Sequence, residues 1–214
     1  MPQVILIVFM TTALTTAVRD FSNLSPVDRH WYQWWIMGYF VITKIQFFHG
    51  DVNLTDRLPR LESAGITWRR RAVSYFSGVA SLFMFLLVAF SITDPARFFL
   101  WQAVALVLDV IWVWNTRATI DPNNDVASPT TRTMLSWWIG LDLVGFGVCA
   151  GLFWVWNSFL ARETVRLLTG IGLGVLTFDK FVDYAWYRDF YFGRQASVAT
   201  TLSGPSTPAP PAPS

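Results

Sequence analysis

The chain has 214 residues, of which 53% are hydrophobic and 14% are charged, and its mean hydropathy is +0.40. A soluble domain of this length does not require so large an apolar fraction. Sixteen basic residues against fourteen acidic ones leave a formal charge of +2. No basic run is interleaved with aromatic residues in a polar context, so nucleic-acid binding is not supported. The single cysteine, Cys149, excludes an intramolecular disulfide framework.

Six apolar segments predict an all-α fold, a polytopic integral membrane bundle of about six transmembrane helices. In chain order they are Val4 to Val18, Trp31 to Phe48, Ala72 to Thr93, Phe98 to Thr116, Met134 to Ser158 and Thr164 to Tyr187. At about 1.5 Å per residue most of them can cross a hydrocarbon core of roughly 30 Å. The twelve tryptophans fall near the segment ends, as expected for residues at the membrane surface.

The first segment has two interpretations. It is short for a span, and it resembles the apolar region of a signal peptide that ends in Thr15-Thr16-Ala17. No positive charge precedes it, which a signal peptide needs, so we favour a short or tilted span.

The connections between segments differ in length. Asp94-Pro95-Ala96 is so short that the third and fourth helices must form an antiparallel hairpin, with Asp94 as the N-cap and Pro95 at the first helical position. Longer polar loops are predicted over 50–71 and 117–132. We divide the chain into a membrane domain, residues 1–194, and a flexible tail rich in Ser, Thr, Pro and Ala, residues 195–214.

The arginines predict the orientation. If all six segments span, nine arginines lie on the side of both termini and five lie on the other side. Positively charged loops stay in the cytoplasm. We therefore expect both termini in the cytoplasm, with the chain in a plasma or inner membrane.

Six ionisable residues lie inside the apolar segments, where each costs a few kcal/mol unless it is paired or hydrated. They are Lys44, Asp109, Asp142, Asp179, Lys180 and Asp183. Counted along their helices, all six fall in one layer, about 6 to 12 Å below the surface on the side of the termini. Lys180 is expected to pair across helices or with Asp183.

This layer predicts a site that binds or conducts a proton or small cation, with Asp109, Asp142 and Asp179 as the main participants. Four aspartates against two lysines leave two negative charges, which require a proton, a cation or arginines from the boundary. The alternative is that these residues form buried ion pairs that fix the helix register, an interpretation that suits Lys44 better.

Two pairs of glycines with i,i+4 spacing predict close helix packing. They are Gly147 with Gly151 in the fifth segment and Gly170 with Gly174 in the sixth. Small residues at this spacing let membrane helices approach closely, within one subunit or between copies.

The function predicted from these features is an ion channel or transporter for a proton or cation, working as an oligomer in membrane lipid. The alternative is a non-catalytic accessory or assembly subunit that binds partner helices, lipid or pigment. The chain has none of the common hydrolase, nucleotide-binding or Cys/His metal motifs. The sequence therefore points away from an enzyme, identifies no cofactor and predicts no metal site.

Overall fold

The computed structural model describes residues 3–63, 66–125 and 130–192. Over these ranges the chain forms seven helices: α1 (Gln3–Ser22), α2 (Trp31–Leu61), α3 (Trp68–Phe90), α4 (Pro95–Arg117), α5 (Thr131–Trp156), α6 (Arg162–Trp186) and the short α7 (Arg188–Phe192). Four of them, α1, α3, α4 and α5, are long and apolar enough to cross a membrane. The predicted all-α membrane fold is therefore confirmed. The predicted tail, 195–214, lies outside the described residues.

The hairpin between α3 and α4 has the predicted turn. The Asp94 side chain accepts a hydrogen bond from the backbone N–H of Arg97 at 3.2 Å. Pro95 is the first residue of α4, where its missing N–H leaves no helical hydrogen bond unmade. The two helices pack along each other, so the predicted cap and hairpin are confirmed.

Helix α2 is longer than the sequence predicts. The polar stretch after Phe48 was expected to be a loop, but the helix continues to Leu61 and tolerates Pro59 in its last turn. Leu54, Leu58 and Leu61 recur at helical spacing and belong to one apolar cluster with residues of α4 to α7. The predicted loop is wrong over 50–61, because the polar composition concealed an amphipathic helix.

The six long helices pack in a closed ring, in the order α1, α3, α4, α5, α6 and α2. Helix α1 therefore lies between α2 and α3. Its residues Leu6, Ala13 and Ala17 have no exposed surface. Because α1 supplies core residues to the bundle, its packing supports the interpretation of the first segment as a span.

The outward surface of the ring is apolar even on its most polar helix. On α6, Phe178 and Phe181 are 69% and 64% exposed, whereas Asp179, Lys180 and Asp183 are buried. This distribution is the reverse of that in a surface helix of a soluble protein. Asp179, Lys180 and Asp183 of α6 thus face the interior of the bundle.

Candidate functional site

A cavity of about 60 Å³ lies inside the ring, where α2 to α6 approach the short helix α7. Its wall carries the side chains of four aspartates and one lysine: Asp51, Asp109, Asp142, Lys180 and Asp183. The rest of the wall is largely aromatic and aliphatic, and includes Phe47, Phe85, Ala105, Leu106, Trp112 and Trp138. Charged groups from four long helices therefore share one small volume within an apolar bundle.

Asp109 of α4 and Asp142 of α5 form a carboxyl pair in this wall. Asp109 is 14 residues from the start of α4 at Pro95, and Asp142 is 14 residues from the end of α5 at Trp156. Both therefore lie about 21 Å from the same end of the bundle. Their side chains interact directly. Two like charges in contact repel each other strongly away from water, so this pair favours a positive charge close by.

Lys180 is the positive charge nearest to the centre of the site. Its Nζ lies 3.2 Å from Asp179 Oδ2, and it also interacts electrostatically with Asp109, Asp142 and Asp183. The closest carboxylate is therefore the neighbour in sequence, not Asp183 or another helix as the sequence suggested. The lysine side chain is long enough to reach Asp179 despite the angular offset of about 100° between adjacent positions.

Asp183 accepts more hydrogen bonds than the other carboxylates of the site. It is 1% exposed, and it accepts hydrogen bonds from Gln46 Nε2, from Trp138 Nε1 at 2.9 Å and from the Tyr191 hydroxyl. Burial, with the nearby Asp183 carboxylate, raises the pKa of the Tyr191 phenol well above its usual value. The hydroxyl therefore remains protonated at neutral pH and keeps its role as a donor.

Lys44 lies beside the cavity, enclosed by aromatic rings. It is 3% exposed, and its Nζ lies 3.4 Å from the centroid of the Phe85 ring and 5.2 Å from that of Phe40. Among the described residues its Nζ has no hydrogen-bond partner, although Asp109 is within electrostatic range. Contact with aromatic faces stabilises this ammonium group in place of a direct ion pair.

Two acceptor atoms near the cavity lack donors. Gln102 of α4 is 1% exposed and lines the cavity. Within the described ranges, neither its Oε1 nor Asp109 Oδ1 has a hydrogen-bond partner. Buried acceptors are nearly always paired in native proteins, so two unpaired acceptors beside one cavity are unusual.

The structure brings most of the predicted site residues together. Four of the six, Asp109, Asp142, Lys180 and Asp183, line the cavity. Asp179 contacts Lys180, and Lys44 lies over Phe85. Sequence reasoning missed five participants, namely Gln46, Asp51, Gln102, Trp138 and Tyr191. Gln46 and Gln102 did carry a signal, because each is a polar residue within an apolar segment.

The four predicted packing glycines have different surroundings. A Cβ added to Gly170 would lie 2.8 Å from the Trp31 ring, and one added to Gly174 would lie 3.9 Å from Trp35. These glycines thus accommodate indole rings of α2. A Cβ added to Gly147 or Gly151 would meet nothing within 4 Å, so these two face open space in the single chain.

Two other glycines also allow close contacts between helices. A Cβ added to Gly172 of α6 would lie 2.7 Å from Leu152 of α5, and one added to Gly145 of α5 would lie 3.2 Å from Leu106 of α4. These positions allow α4, α5 and α6 to approach each other around the cavity.

Neither a group of metal ligands among the described residues nor a comparison with known proteins assigns a function to this site. Within the described residues, no three His, Cys, Asp or Glu side chains are grouped so as to hold a metal ion. Comparisons of the chain with protein families, with curated proteins and with solved structures found no match.

Proposed function

We propose that all six long helices span the membrane and that the cavity binds a proton or small cation, which the protein moves across the bilayer. The six-span topology is supported by α2 and α6, the two long helices that are too polar to be counted as membrane spans from composition alone. Each of these helices exposes large apolar side chains on its outward face: Phe178 and Phe181 on α6, and Trp34 and Ile45 on α2. Outward apolar faces suit contact with lipid. With six spans, the arginine distribution supports both termini in the cytoplasm of a plasma or inner membrane.

The observation that carries the functional proposal is the excess of negative charge around the cavity. Five aspartates, counting Asp51, surround it against the two lysines Lys44 and Lys180, which leaves a formal excess of three negative charges. In a membrane interior such an excess is very unfavourable without compensation. Binding of a proton or cation supplies the compensation.

The carboxylates of the site differ in how they are held. Asp183 has three donors, so its charge is stabilised in place. Asp109 and Asp142 have no comparable set of donors among the described residues, and they interact with each other. We therefore assign the exchange of the cation to Asp109 and Asp142, and the maintenance of the cavity shape to Asp183.

The test is flux through the purified protein in liposomes, measured with a luminal pH dye and with cation-sensitive dyes. We expect Asp109→Asn and Asp142→Asn each to lower the flux at least tenfold, because the amide keeps the shape of the carboxylate but not its charge. Asp94→Asn is the matched control, since it lies at the opposite end of α4 and asparagine is also a good N-cap. Thermal unfolding of each variant verifies that it is folded.

Two results would overturn the proposal. If wild-type protein moves neither protons nor cations, the function is wrong. If wild-type protein conducts and both variants conduct at the same rate, the assignment of the site is wrong.

The second candidate function, a non-catalytic accessory or assembly subunit of a larger membrane complex, is supported by the open face of α5. Gly147 and Gly151 lie on it, and Leu143 and Val144 nearby are 52% and 53% exposed. Small residues on an exposed apolar helix let another helix approach closely. Purification in mild detergent followed by mass measurement distinguishes a fixed partner from a second copy of the chain.

A further inference from the structure

A second cavity, separate from the one inside the ring, lies where α4 ends and α5 begins. Its volume is about 250 Å³. Arg117 is the last residue of α4 and Thr131 is the first of α5, and both helices are long and apolar enough to span a membrane. We call this cavity the boundary pocket. Its polar wall consists of two arginines, three residues with hydroxyl groups and one aspartate: Arg117, Arg132, Thr130, Thr133, Ser136 and Asp125.

The two arginines of the boundary pocket have no acidic partner. Among the described residues, neither guanidinium forms an ion pair. Arg117 donates one hydrogen bond, from Nε to the Ser136 hydroxyl at 2.6 Å, and Arg132 donates none from its guanidinium within those ranges. Both arginines therefore line the pocket with donors that no protein acceptor uses.

Asp125 reduces the positive charge of the pocket but does not cancel it. Its carboxylate accepts hydrogen bonds from the backbone N–H groups of Thr131 at 2.9 Å and Arg132 at 2.8 Å, and so it caps the start of α5. Two arginines against this one aspartate leave a formal charge of +1. A singly charged anion balances the pocket.

The donors of the pocket suit the oxygens of a phosphate group. A guanidinium donates two parallel hydrogen bonds to phosphate oxygens, a geometry that other side chains do not offer. The hydroxyls of Thr130 and Thr133 are 2.8 Å apart, so one donates to the other. The second hydroxyl hydrogen has no acceptor among the described residues. A phosphodiester combines such oxygens with the single negative charge that balances the pocket.

The volume of the pocket is large enough for a phosphate with a substituent. An apolar cavity of about 150 Å³ holds benzene, which has six heavy atoms, or roughly 25 Å³ for each. By this proportion a volume of about 250 Å³ holds about ten heavy atoms. A phosphate joined to one glycerol, as in the headgroup of phosphatidylglycerol, has about that number.

Two tryptophans place the pocket at the membrane surface. Trp114 and Trp137 are 62% and 37% exposed. Trp114 precedes Arg117 by three residues and Trp137 follows Thr133 by four, so each lies on the same helix face as a residue of the pocket. Exposed tryptophans of membrane helices are enriched at the level of the lipid headgroups. The boundary pocket therefore lies where phospholipids present their phosphates.

We propose that the boundary pocket binds a phosphate group, which an anionic phospholipid supplies. Arg117 and Arg132 hold the phosphate oxygens, the rest of the headgroup lies beside Thr130 and Thr133, and the acyl chains extend along the apolar surface of α4 and α5. A soluble phosphate compound has the same chemistry, so the test separates the two sources. The proposal does not rest on the cation function of the other cavity.

The test compares three probes by calorimetry on the full chain in detergent. Dihexanoylphosphatidylglycerol carries a net negative charge, dihexanoylphosphatidylcholine has the same phosphodiester beside a cation, and inorganic phosphate has no acyl chains. Partition into the detergent is common to the two lipids, so the difference between them reports the headgroup. We expect the glycerol lipid to bind about tenfold more tightly than the choline lipid, and inorganic phosphate to bind at least tenfold more weakly than the glycerol lipid, because it gains nothing from apolar contact.

Charge-removing variants identify the pocket as the site of binding. Arg117→Gln and Arg132→Gln are each expected to weaken the glycerol lipid about tenfold and to remove its preference over the choline lipid. The matched control is Arg69→Gln, which removes the same charge at the same end of the bundle. Arg69 is exposed at the start of α3 and lies over the Trp68 ring, outside the pocket. This control retains the preference.

Lysine variants keep the test decisive if a glutamine variant does not fold. Arg132→Lys retains the charge but not the paired donors, so it is expected to weaken the glycerol lipid about threefold. Inorganic phosphate that binds as tightly as the glycerol lipid, and through the same arginines, would overturn the lipid as the source and assign the pocket to a soluble phosphate compound. The proposal as a whole is overturned if wild-type protein neither prefers the glycerol lipid nor binds inorganic phosphate. It is equally overturned if the folded arginine variants bind all three probes as wild-type protein does.

Discussion

Replacing Tyr191 with phenylalanine tests the hydrogen bonds that hold Asp183. The change removes the hydroxyl that donates to Asp183 but keeps the ring, whose centroid lies 4.5 Å from that of Tyr184 and 5.4 Å from that of Phe190. A hydrogen bond to a charged group contributes about 1.5–3 kcal/mol. Asp183 is 1% exposed, so water does not readily replace the lost donor. Because Gln46 and Trp138 still donate, we expect Tyr191→Phe to lower the free energy of unfolding by about 2 kcal/mol.

The measurement is reversible unfolding in detergent micelles by heat or denaturant. For a chain of this length a loss of about 2 kcal/mol lowers Tm by roughly 4–8 °C. Tyr75→Phe is the control, because Tyr75 is 50% exposed and a surface substitution of this kind changes stability by less than about 0.5 kcal/mol. If the two variants have the same stability, the hydroxyl of Tyr191 does not stabilise Asp183 and our account of the site is refuted.

Two further predictions use the same unfolding assay. Gly172→Ala is expected to lower the free energy of unfolding by about 1–3 kcal/mol, because the new Cβ lies 2.7 Å from Leu152. Gly147→Ala is expected to raise it by up to about 1 kcal/mol in the single chain, because the new Cβ meets nothing within 4 Å and alanine favours the helix. Effects of the same sign would contradict the packing described. Above pH 10 the wild type is expected to lose stability faster than Tyr191→Phe. The phenol pKa is raised in the folded state, so the unfolded chain loses its proton first and is favoured as the pH rises. Parallel pH profiles of the two proteins would contradict this.

Helix geometry made the depth of the charged residues predictable from the sequence. The rise per residue is nearly constant in a helix, so counting from the segment ends placed Asp109, Asp142 and Lys180 at similar depth without any knowledge of contacts. The turn at Asp94-Pro95 was predictable for a similar reason, because proline and an N-cap residue act locally.

The rotation of each helix was not predictable. When nearly every face of a helix is apolar, periodicity does not show which side faces the interior. For this reason the sequence singled out Gly147 and Gly151, which meet nothing within 4 Å, as well as Gly170, which does pack closely, and it did not single out Gly145 and Gly172. Tyr191 was missed for another reason, because it reaches Asp183 only after the chain turns between α6 and α7.

The order of the ring has a consequence for biosynthesis. Among the described residues, α6 follows the other five long helices in the chain, and it closes the ring by packing between α5 and α2. It also brings Asp179, Lys180 and Asp183 into the bundle. At that moment the earlier helices already present Gln46 and Trp138, which donate to Asp183. The helix that carries Asp179, Lys180 and Asp183 is thus translated only after the groups that receive their charges.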